Sequence, residues 1–185
     1  MQQPRRNNFH YVAFLRGINV GGHAVIKMTD LKAAFEGMGF KDVRTVLASG
    51  NVIFTARPDD EKALSAEIGS GLEKAFKRNI GVLLRSRDAL EQLRSSEPFK
   101  GIEITPSIRL YVTFLSQGSR TPAITIPYAT TRQELRILGA TVTEVFSVVD
   151  LEKGIGTTEA MTVLEKEFGS DLTTRNWNTV LKVLM

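Results

Sequence analysis

Tyr11-Val12-Ala13-Phe14-Leu15-Arg16-Gly17-Ile18-Asn19-Val20-Gly21-Gly22 runs from an apolar segment into a loop of glycines, an arginine and an asparagine. Residues 9–15 read as a strand. Tyr11, Ala13 and Leu15 fall on one face and Val12 and Phe14 on the other, and all are fairly apolar, so both faces are expected to be covered. Working outward, residues 28–38 place Leu31, Ala34, Phe35 and Met38 on one helical stripe, with Thr29 able to cap the start and Gly39 the end. Residues 43–48 and 51–56 read as strands about Ser49-Gly50, a composition that suits a tight hairpin turn. A second helix, entered through Pro58 and the acidic Asp59, Asp60 and Glu61, carries Leu64, Ile68, Leu72 and Phe76 at helical spacing. Residues 80–84 then form a fourth, largely apolar strand.

That order, strand, helix, strand, strand, helix, strand, predicts an α/β (α+β) ferredoxin-like half over residues 9–86, behind a basic tail at 1–8 that is expected to be disordered. Right-handed crossovers put the first and third strands side by side. They also bring Arg16, Asn19, Ser49, Asn51 and Arg78 to one edge of the sheet. Residues 87–185 read as a second, degraded half of the same kind with an antiparallel or mixed sheet. It holds a short helix at 87–94, a strand at 109–115 and an irregular connection at 117–131. A hairpin follows over 132–138 and 141–149 about Gly139-Ala140, then helices at 158–168 and from about 175 to 184. On the last helix Trp177 shares a stripe with Val180, Leu181 and Leu184, so it is expected in the core, with Arg175, Asn178 and Thr179 on the polar face.

Composition sets limits on function. The chain has 185 residues, 42% hydrophobic and 24% charged, which suits an ordinary globular protein with a sizeable core. Its formal net charge of +4 favours anions, but Lys and Arg are spread along the chain, so nucleic acid is only weakly supported. With no cysteine and two histidines, disulfides, thiolate chemistry and a cysteine- or multi-histidine metal site are excluded. No cofactor is implied. The polar residues 1–8 are followed by no apolar segment long enough for a signal peptide or a membrane span, so a cytoplasmic protein without a membrane partner is expected.

No residue set amounts to a catalytic device, since no histidine, cysteine or paired carboxylate sits in the glycine-rich motifs. A binding site is better supported. Arg16, Gly17, Asn19, Gly21 and Gly22 can hold an anion, because glycines let backbone N–H groups turn toward a ligand while the arginine supplies a fork of donors; the same residues equally suit a tight loop in which Arg16 and Asn19 bond neighbouring backbone. Ser49 and Asn51 lie where they can join that cluster. Arg175, Asn176 and Asn178 repeat the same residue types, at what reads as the start of a helix. The expected ligand is small and phosphorylated or otherwise anionic. The alternatives are RNA binding, for which the aromatics Tyr11, Phe14 and Phe54 lack the pattern of the common RNA-recognition module, and a non-catalytic interaction or dimerisation module of open oligomeric state.

Four segments also carry a resemblance: Tyr11 through Gly22, Val43-Arg44-Thr45, Ser49-Gly50-Asn51-Val52, and Thr173-Thr174-Arg175-Asn176-Trp177-Asn178-Thr179-Val180. Together they resemble the bacterial family known as domain of unknown function 1697. The resemblance implies a two-part α/β fold of ferredoxin-like halves and no established activity. The sequence departs from the family's common pattern at His23-Ala24, where lysine and asparagine are usual. At Thr157-Thr158-Glu159 the pattern runs arginine, serine, lysine, and an anion site there loses its cations.

Overall fold

The structure is a computed structural model that describes residues 9–19, 25–57, 60–116 and 119–185. The described residues form α-helices and two antiparallel sheets, and they divide into two units, one ending at Glu91 and including Lys182–Met185, the other Gln92–Leu181. The expected element order of the first unit is present: β1 (Phe9–Leu15), α1 (Met28–Gly37), β2 (Lys41–Val46), β3 (Asn51–Ala56), α2 (Glu61–Phe76) and β4 (Val82–Ser86). Its sheet runs β2-β3-β1-β4, so the first and third strands are neighbours, with Tyr11 opposite Phe54 and Ala13 opposite Val52.

Alternation along β1 explains the core. Tyr11, Ala13 and Leu15 join Leu31 and Phe35 of α1 and Ile68 of α2 in one buried cluster. Val12 and Phe14, on the opposite face, are 1% and 0% exposed, so both faces of β1 are buried as its apolar pattern requires. Phe54 packs at centroid distances of 4.7 Å on Phe40 and 5.4 Å on Phe35, and fully burying one such ring stabilises by roughly 1.5–3 kcal/mol.

Helix ends differ in part from expectation. Thr29 does not cap α1; the N-cap is Lys27 with no side-chain bond, and the Thr29 hydroxyl donates to Asp30 Oδ1 at 3.3 Å. Asp60 caps α2, its Oδ1 accepting from Lys62 N at 3.1 Å, while Pro58 and Asp59 lie outside the described residues. β4 falls two residues beyond the expected 80–84 and runs straight into α3 (Arg87–Ser95), with Ser86 Oγ accepting from Ala89 N at 3.2 Å.

The second unit holds β5 (Ile108–Leu115), β6 (Tyr128–Ala129), β7 (Leu135–Ala140), β8 (Glu144–Asp150), α4 (Thr157–Phe168), β9 (Leu172–Asn176) and the start of α5 (Trp177–Val183). Its sheet runs β6-β7-β8-β5-β9. Setting aside the short edge strand β6, which lies in the stretch expected to be irregular, this repeats the arrangement of the first sheet strand for strand. Gly139-Ala140 belong to β7 rather than to the turn, because Thr141 carries the reversal: its hydroxyl accepts from Thr143 N at 3.1 Å and Glu144 N at 2.8 Å. The expected helix from residue 175 is also corrected. Residues 172–176 pair with β5, as β-branched Thr173 and Thr174 favour, and α5 starts only at Trp177.

Candidate functional site

The loop edge of the first unit is built by two backbone bonds at the end of β1. Leu15 N donates to Gly50 O and Arg16 N donates to Gly81 O, each at 2.8 Å, so the hairpin turn and the approach to β4 do flank Arg16. Gly50 has φ +77°, and a Cβ there would lie 2.6 Å from Ile18 Cδ1, so the turn needs glycine for both conformation and space. Asn19, at φ +57°, takes a left-handed conformation that asparagine tolerates. Its Nδ2 donates to Ile26 O at 3.0 Å and Ala48 O at 2.8 Å, and its Oδ1 accepts from Ile26 N at 2.8 Å. Asn51 is fully buried, with Nδ2 donating to Val46 O at 2.8 Å and to Ser49 Oγ at 3.0 Å. These amides tie the loop and hairpin together. Arg16 is half-buried and Gly17 exposed at φ +65°, while Gly21, Gly22 and His23 lie outside the described residues.

Arg175, Asn176 and Asn178 belong to the second unit. Arg175 is not on the polar face of a helix: it is 8% exposed in β9, opposite Val112, and Nη1 donates to Thr173 Oγ1 at 2.7 Å and Thr174 O at 2.9 Å. Burial pulls its guanidinium down to about 10, which still leaves it cationic at neutral pH. Arg85 is its counterpart in the first sheet, also 8% exposed, opposite Val12, with Nη1 on Leu84 O at 2.6 Å. Each arginine is followed by a residue that caps the next helix: Ser86 before α3, and Asn176, whose Oδ1 accepts from Asn178 N at 3.0 Å, before α5.

Beside Asn176 lies a groove of about 660 Å³ within the second unit. Trp177 forms one wall. It is half-buried rather than in the core, because its ring packs on Phe99 at 5.4 Å while Val180, one turn on, takes the fully buried position. Phe99 is held in turn by Phe146, edge-on at 6.2 Å, and by a turn in which Lys100 N donates to Glu97 O and Ile102 N to Phe99 O. Arg94, Lys100 and Arg109 stand around this apolar floor against the single carboxylate of Glu97. Lys100 Nζ contacts Glu97 Oε2 at 2.7 Å, but both side chains are exposed, so the pair holds by less than about 1 kcal/mol and the ammonium can turn to a ligand. Arg109 is steadied from behind, Nη1 donating to Pro106 O at 2.7 Å and Ile108 O at 3.0 Å. The aromatics considered for RNA are elsewhere: Tyr11, Phe14 and Phe54 are buried in the first sheet.

Residues 9–142 match the family model described as a protein of unknown function, DUF1697. The chain belongs to the DUF1697 family. Its fold is similar to that of the conserved bacterial protein SP0830 from Streptococcus pneumoniae, with a TM-score of 0.72 at 19% identity, over 96% of this chain and 97% of that one. No curated protein matches the chain. The span matched to DUF1697 contains the loop edge and the cations of the groove, and it ends ahead of Trp177. Of the residues expected from the sequence to bind, Asn176 and Asn178 line the groove. Phe99, Arg94, Lys100 and Arg109 were missed. The available signal was the set of cations Arg94, Lys100 and Arg109 about Pro98 and Gly101; that Trp177 lies beside them is given by the fold and not by the sequence.

Proposed function

We propose that this is a cytoplasmic binding protein of two ferredoxin-like units, taking a small anionic or phosphorylated ligand in the groove beside Trp177. The strand orders of the two sheets support the first part of this reading. The observation that carries the second is the charge around the groove: three cations face one carboxylate over an apolar floor, with the amides of Asn176 and Asn178 alongside. Sites of this kind bind through a largely apolar surface and a few placed polar groups, and about 660 Å³ lies in the range of roughly 300–1,000 Å³ typical of small-molecule pockets.

The loop edge with Arg16, Gly17, Asn19, Ser49 and Asn51 is the weaker candidate, because Asn19 and Asn51 already hold backbone carbonyls. Arg175 is read as structural for the same reason. A protein-interaction module is favoured by one observation, the 66% exposure of Ile104 on the groove's rim, and Ile104→Lys separates that reading by abolishing any self-association without loss of anion binding. The test of the main reading is a thermal-shift series with inorganic pyrophosphate, sugar phosphates and nucleotides on the wild type and Arg109→Ala. A stabilising ligand whose apparent affinity falls roughly ten- to hundredfold in Arg109→Ala is the expected result, the size of one lost charge-assisted contact. Stabilisation unchanged by Arg109→Ala and lost in Arg16→Ala would move the site to the loop edge.

A further inference from the structure

We infer that the ligand of the groove is a nucleoside phosphate whose base stacks on Trp177, an inference that rests on the anion-binding reading above and narrows it. Trp177 opens α5, and Val180 and Val183 of that helix are buried at 0% and 1% exposure. The tryptophan is held out at the groove, with Leu181 one turn on beside it, Phe99 behind it and Phe146 behind Phe99. A flat, rigid, backed indole is the surface on which nucleobases stack, whatever their sequence.

Beside it in the chain stand two amides. Asn176 is fixed by the bond from Asn178 N to its Oδ1, which leaves its Nδ2 donors to the groove. The Asn178 side chain lines the groove, is exposed and has no hydrogen-bond partner among the described residues. Donor and acceptor on one planar amide match the edge of a base, adenine best of all. On the rim, Arg109 has one amino group engaged by backbone carbonyls, which orients the remaining N–H donors, and Lys100 adds a mobile charge; together they suit a phosphate. The size of the groove argues for a single nucleotide in place of a strand.

Trp177 is the chain's one tryptophan, so its fluorescence reads this site and no other. The full-length protein is titrated with AMP, adenosine, ribose 5-phosphate and pyrophosphate, following fluorescence and thermal shift together. AMP and adenosine should quench saturably, adenosine at tenfold or more higher concentration, while pyrophosphate displaces AMP and restores the emission. Arg109→Ala should weaken AMP at least tenfold and leave adenosine unchanged, and Asn178→Ala should weaken both. If ribose 5-phosphate or pyrophosphate stabilises the protein through Arg109 but AMP binds no tighter and does not quench, the nucleoside inference is overturned and the anion reading stands. If none of the four ligands shifts the melting temperature, both fail.

Discussion

Asn19 joins three strands of argument on one side chain: a left-handed backbone, two carbonyls served by its amide, and one buried N–H, that of Ile26, served by its oxygen. Asn19→Ala should therefore lower stability by roughly 1–3 kcal/mol through stranded backbone groups. Asn19→Asp should recover only the part carried by the acceptor, and equal denaturant midpoints for wild type and alanine variant would contradict this. Ser147 is the opposite case. Its hydroxyl is buried at 0% exposure with no hydrogen-bond partner among the described residues, so Ser147→Ala should leave the midpoint unchanged or raise stability by up to about 1 kcal/mol. A loss of stability would contradict this and reveal a buried water on the hydroxyl. For Arg175 the sign follows from burial. Its folded-state value is lowered to about 10, so the fold disfavours its charge; that penalty is present in full across the neutral range and is relieved only as pH rises above about 10. The stability difference between wild type and Arg175→Met should thus be flat over roughly pH 6–9, and a slope in that window would place a second titrating group against the guanidinium.

At the level of elements, the first unit could be read from the sequence because its patterns are simple. The helical stripe of α1, the acidic entry to α2 and the Ser49-Gly50 hairpin each have one physical solution, and the errors there are shifts of two residues or a misassigned cap. The end of the chain was harder. Leu172 to Val183 holds a strand that passes directly into a helix, with Asn176 as the joint and no glycine or proline to mark it, so the helix read from the sequence starts at about residue 175 and takes in the last two residues of β9. That boundary error placed Arg175 on a polar helix face when it is buried in β9, whereas the misplacement of Trp177 has another cause: the helical stripe is real, but Phe99 holds the ring at the half-buried end of it. The hairpin offers a sharp check on the part that was right. Gly50→Ala brings a Cβ against Ile18 and Leu15 at a positive φ, and should destabilise by roughly 1–3 kcal/mol. Gly17→Ala, at φ +65° with no atom of the described residues within 4 Å of an added Cβ, carries only the conformational part, and should cost less. Equal losses for the two would mean that Ile18 moves aside freely.

For the whole molecule, the two sheets repeat one plan, down to a buried arginine and a capping residue at the end of each last strand, and the second unit adds a groove walled by an aromatic pair and rimmed by cations. Local periodicity can reveal strands and helices, but a groove is made by residues far apart in sequence, here 94–110 and 176–181. Glycine-rich loops drew attention to the first unit for sound chemical reasons. Among the described residues, Leu15 and Asn19 hold the Ala48–Gly50 turn to the end of β1. The loop edge and the groove make different demands on one experiment, the backbone amide chemical shifts of the isotopically labelled protein on titration with AMP. The groove reading predicts that saturating shifts concentrate in residues 97–109 and 176–178 and leave 15–19 and 48–51 in place. Shifts confined to 15–19 and 48–51 would contradict it.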